Sequence, residues 1–130
     1  MGGVPVSQVG GWQPQNLPSE ILPDVEVVAE GLAFPEGPVA LSDGSVLVTE
    51  IDRGTLTRVA PSGRTEVVAD CGGGPNGAAI GPDGAVYICN NGGRFASGNW
   101  NGGWVDRVDL RTGSVEVIYR ECEPASVRAE

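Results

Sequence analysis

A carboxylate and an amide stand at matching places of an internal repeat. Pro35-Glu36-Gly37 returns at an offset of 40 residues as Pro75-Asn76-Gly77. The same offset relates Glu26-Val-Val-Ala-Glu30 to Glu66-Val-Val-Ala-Asp70, and Asp43-Gly44-Ser45-Val46 to Asp83-Gly84-Ala85-Val86. Carboxylate oxygens and amide carbonyls are the donors that hard divalent cations prefer. Each residue also has a plain reading. Glu36 suits a solvated turn between two prolines, and Asn76 suits a turn position ahead of Gly77. Glu50 and Asn90 form a second repeat-related pair, facing the same end of their units. For these two the structural reading is the stronger, because Asn90-Asn91-Gly92 is first of all a turn signal.

What the chain lacks narrows its chemistry further. It has no His, and its eight cations are all Arg. No Ser-His-Asp triad, Cys-His pair or His-based zinc site can be built from it. Schiff-base chemistry and a phosphate-loop Lys are excluded as well. The net charge of −9 and the scattered arginines show no basic patch for a nucleic-acid backbone. No apolar run approaches membrane-spanning length, and no charged-then-apolar signal opens the chain. The three cysteines, Cys71, Cys89 and Cys122, are far apart and lack metal-ligand spacing. They read as reduced, mostly buried thiols, with Cys89 a small apolar strand residue, in a cytoplasmic protein.

The elements that must carry these residues are short strands. With 21 Gly and 10 Pro among 130 residues, the chain is rich in tight turns. Residues 1–23 read as a loosely ordered leader, in which Trp12 and Leu17 are the docking candidates. Residues 24–120 read as two units, about 25–70 and 71–120, and residues 121–130 as a tail. In the first unit, strands are expected at Val25–Ala29, Val39–Leu41, Val46–Thr49, Thr55–Val59 and Thr65–Ala69. The Asp43-Gly44 and Ser62-Gly63 turns lie between them. In the second, Ala78–Ile80, Ala85–Cys89, Trp104–Leu110 and Ser114–Tyr119 follow the same plan. A long polar loop, 90–103, holds Phe95 and Trp100 as candidates to cover a channel or pin the loop. A strand repeat of this length points to four-stranded antiparallel propeller blades. A third unit is announced by Glu116-Val117-Ile118 and not delivered. Two blades cannot close a ring, so the expectation is a partial sequence, or copies that associate through open blade faces.

The run from Gly31 to Val39, the Asp43-Gly44 turn and the run from Gly72 to Gly93 resemble the gluconolactonase family, which includes senescence marker protein (regucalcin). The resemblance covers roughly residues 25–120. It implies an all-β, six-bladed propeller with one divalent metal in the central channel, calcium foremost, with zinc, magnesium or manganese as alternatives. Glu36 then falls on the first metal ligand. Asn76, and less directly Asn90 and Glu50, fall near the metal or substrate. The implied activity is hydrolysis of a sugar or other small lactone. In the isolated 130 residues, weak metal binding without catalysis is expected. The rival reading is a non-catalytic propeller module that binds a ligand or calcium.

Overall fold

The computed structural model describes residues 26–93 and 102–120. Their eight strands form two separate four-stranded antiparallel sheets, each a simple up-and-down meander. The first sheet contains β1 (Pro35–Ala40), β2 (Val46–Glu50), β3 (Thr55–Val59) and β4 (Thr65–Asp70). The second contains β5 (Pro75–Ile80), β6 (Val86–Asn90), β7 (Trp104–Val108) and β8 (Val115–Tyr119).

The turns follow from local sequence. At 41–45 and again at 81–85, an Asp side chain accepts a backbone N–H two residues on, at 3.0 Å for Ser45 and 3.1 Å for Ala85. A glycine with positive φ then lets the chain re-enter the ladder (Gly44 +84°, Gly84 +78°). The turn from β3 to β4 has the same closure, Ala60 N–H to the Arg64 carbonyl. Its counterpart in the second sheet runs from Asp109 to Ser114, one residue longer. That extra residue explains why the repeat offset grows from 49 at Arg58 and Arg107 to 50 at Glu66 and Glu116.

The core lies between the two sheets. Leu47, Leu56, Ala69 and Cys71 of the first meet Val86, Ile88 and Val108 of the second, all buried. Burying each large aliphatic side chain is worth about 1.5–3 kcal/mol. The sheets come nearest at β1 and β5, the inner strands, and β2 also touches β5. The face of the second sheet that corresponds to this buried surface stays open: Cys89 is exposed and Tyr119 is 64% exposed.

Three expectations need correction. Residues 26–30 form no strand, and Val27 and Val28 are exposed. The segment does hold a strand-like place. Gly63 sits against the Val28 carbonyl as Gly113 sits against the Val68 carbonyl of β4. It therefore lies where the outer strand of a preceding sheet would lie, without ladder partners among the described residues to make it one. Second, the inner strands begin at Pro35 and Pro75, not at Val39 and Ala78. A register shift between Glu36 and Val39, and another between Pro75 and Ala78, keeps the turn-like Pro-x-Gly residues inside the ladder. Third, Cys89 is exposed rather than buried, because no sheet covers its face among the described residues. The leader with Trp12 and Leu17, the loop positions Phe95 and Trp100, and the tail with Cys122 lie outside the described residues.

Candidate functional site

Glu36 and Asn76 are brought to equivalent positions on neighbouring inner strands. Pro35 pairs with Glu50 and Pro75 with Asn90, so the residue after each proline occupies the same height in its sheet. Glu36 is exposed and Asn76 is half-buried. The strands touch here because Gly37 has no side chain. It holds φ +51°, and a Cβ at this position would collide with the Asn76 carbonyl and lie 2.9 Å from the Ala78 nitrogen. Thr49, the ladder partner of Glu36, is fully buried and donates its hydroxyl to the Asn76 carbonyl at 2.7 Å.

Glu50 and Asn90 do different work. Both are buried at the ends of β2 and β6 and bind the chain that enters the inner strand. The Glu50 carboxylate accepts the Ala33 N–H at 2.7 Å, the Thr57 hydroxyl at 2.6 Å and an Arg53 guanidinium N–H at 3.0 Å. Burial opposes ionisation of Glu50, but the Ala33 amide, the Thr57 hydroxyl and the Arg53 charge outweigh it and hold its pKa below the usual value.

In the second sheet the charge has moved across the ladder. Asn90 accepts the N–H groups of Gly74 and Gly92, both at 2.9 Å. Its amide donates to the Gly72 carbonyl at 3.0 Å and to Asp106 at 3.1 Å. Asp106, aligned with Thr57, also accepts the Trp104 indole N–H at 2.9 Å. Burial raises the Asp106 pKa despite these two donors. So a carboxylate facing a hydroxyl in one sheet becomes an amide facing a carboxylate in the other, and each arrangement closes its hydrogen bonds. No buried side-chain polar atom among the described residues lacks a partner. Asp106 was missed in the sequence. Its signal is a lone acid at an inward position of the strand Trp104-Val-Asp-Arg-Val108. Nearby, burial first and the Asp106 charge second push the Cys71 thiol up to about 12, which makes it an inert core residue.

Asp43 and Asp83 lie at the opposite ends of the strands, paired with Arg58 and Arg107 respectively. They serve the turns and are remote in the ladder from Glu36 and Asn76.

Comparison with known proteins places these features in a family. The model of the SMP-30/gluconolactonase/LRE-like region matches residues 34–129. The chain belongs to this family. Within the solved structures, the family member is similar to the PQQ-bound aldose sugar dehydrogenase of Streptomyces coelicolor. The identity is 25%, the TM-score is 0.59, and the match covers 75% of this chain and 33% of that one. The chain thus spans about a third of that protein's length. No curated protein matches. The two sheets are blades of an all-β propeller, and the family is one of sugar-related propeller enzymes.

The donor chemistry at the inner strands fits a hard cation. One carboxylate and one amide, both oxygen donors, occupy equivalent positions on β1 and β5, the strands along which the two sheets meet. Among the described residues no three acidic, Cys or His side chains gather into a metal cluster. Further oxygens would have to complete a coordination shell.

Proposed function

We propose that this chain carries the first ligand positions of a metal-dependent propeller lactonase acting on a sugar-type or other small lactone. The observation that carries the reading is Glu36. It is an exposed carboxylate on an inner strand, inside the family-matched stretch, beside the equivalent Asn76 of the next blade. The likeness to an aldose sugar dehydrogenase supports the substrate class and leaves the reaction to the family assignment.

A bound divalent cation, calcium foremost, would supply Lewis acidity toward a lactone carbonyl. The chain's own residues have separate tasks. Glu36 provides the negative charge that holds the cation, and Asn76 offers a neutral oxygen or an amide donor to a sugar hydroxyl. Glu50, Asn90 and Asp106 stay engaged with backbone and neighbouring side chains, so they shape the site from behind and do not enter it. With no His and no Lys in the chain, proton movement at this part of the site falls to carboxylate or water.

The test is hydrolysis of a small aldonolactone by an intact propeller carrying this segment, with and without calcium. Turnover that requires calcium and falls at least about 100-fold in Glu36→Gln is expected, in line with the loss of a group that places a charge-stabilising centre. Undiminished turnover in that variant refutes the reading. Calcium binding without turnover favours the non-catalytic module instead.

A further inference from the structure

Two residues that flank Glu36 grip the same atom of the neighbouring blade. Thr49 lies across the ladder from Glu36, fully buried, with its hydroxyl 2.7 Å from the Asn76 carbonyl. Gly37, next in sequence to Glu36, packs its bare Cα against that carbonyl. The Asn76 backbone is therefore held from two sides, and both holds are tied rigidly to the Glu36 backbone. The repeat-equivalent of Thr49 is Cys89, a much weaker donor, on the face that no sheet covers among the described residues. The hydroxyl appears where a second blade has to be registered against the first.

Resting on the cation reading above, we infer that Thr49 is a positioning residue that sets the spacing between the Glu36 carboxylate and the Asn76 side chain. Spacing and rigidity decide how a set of oxygen donors discriminates calcium from the smaller magnesium. Thr49 does not touch the cation. It acts through the Asn76 backbone, while Gly37 permits the approach. Replacing Thr49 by Val keeps shape and removes the hydroxyl that binds the Asn76 carbonyl. Without that bond β5 is freer to shift relative to β1.

The test is titration of the 130-residue chain with calcium and then magnesium, followed by the side-chain amide resonances of Asn76. It compares the parent chain with Thr49→Val, Thr49→Ser and Glu36→Gln. Loss of one hydrogen bond to a site-bearing strand predicts that Thr49→Val weakens calcium binding by up to about tenfold and narrows the calcium-to-magnesium ratio. Thr49→Ser, which keeps the hydroxyl, restores both. A merely structural threonine would lower the melting temperature and leave the ratio unchanged. If Glu36→Gln abolishes binding and Thr49→Val does not alter the ratio, the positioning role is overturned while the cation site stands. If Glu36→Gln binds like the parent chain, the cation reading itself fails. Should Thr49→Val not fold, Thr49→Cys, the residue the second blade carries, takes its place with the same expectation.

Discussion

Replacing Asn90 by Ala should destabilise the chain by about 4 kcal/mol. The side chain holds four partners: the N–H groups of Gly74 and Gly92, the Gly72 carbonyl and the Asp106 carboxylate. Asp106 keeps the Trp104 indole, and the Gly72 carbonyl is only partly buried, so water replaces part of what they lose. The two N–H groups are in buried contacts and are left unmatched. A buried donor without a partner costs about 1–3 kcal/mol, so two of them give about 2–6 kcal/mol, with a central figure near 4 kcal/mol. Urea unfolding followed by tryptophan emission would read it, since Trp104 borders the cluster. The expected result is a lower midpoint with an unchanged slope. A loss below about 1 kcal/mol would mean that the Gly72–Gly74 entry to β5 is held by something other than this amide, and would refute the clasp assignment.

The two buried acids should give stability–pH trends of opposite sign. Glu50 has a folded pKa below its unfolded one, so its contribution is present above the unfolded value and is lost as pH falls through the folded value. Glu50→Gln should flatten the acid side of the stability curve, measured by thermal unfolding between about pH 3 and 5. Asp106 has a raised folded pKa, so its contribution is present below the unfolded value and declines as pH rises above about 4. Carboxyl-carbon NMR should find Asp106 titrating above an ordinary aspartate, and a value below it would contradict the burial argument. Phe34 holds a left-handed backbone (φ +57°) while half its surface is exposed. Removing strain of about 1–2 kcal/mol, less the entropic cost of glycine, predicts that Phe34→Gly raises stability by about 0.5–1 kcal/mol. An unchanged or lower melting temperature would show that the ring packs more than its exposure suggests.

Much of the architecture was legible because turn chemistry is local. Asp43-Gly44, Asp83-Gly84 and Gly63 each mark a hairpin that the structure contains. The constant offset of 40 made Glu36 and Asn76 equivalent before any coordinates did. The inner-strand starts were hidden for the opposite reason. Pro-Glu-Gly-Pro has turn composition, and the register shift between Glu36 and Val39, repeated between Pro75 and Ala78, is what admits it to a ladder. Residues 26–30 look like β4 in sequence but have no sheet to join among the described residues, so composition alone overstated them. The exchange of Glu50 and Thr57 for Asn90 and Asp106 was obscured by the change of offset within the long loop. Two polar clusters that are equivalent in space are therefore misaligned in a fixed-offset comparison.

The cation proposed to sit between the inner strands, held by Glu36 and Asn76, can be located by its effect on neighbouring nuclei. Manganese(II), a paramagnetic oxygen-seeking ion, reports proximity directly through broadening of nearby NMR signals. At substoichiometric manganese, the side-chain resonances of Glu36 and Asn76 are predicted to broaden first. Those of Asp43 and Asp83, at the far turns, should broaden last. Broadening centred on the Asp43 or Asp83 turns, with Glu36 and Asn76 untouched, would rule that site out.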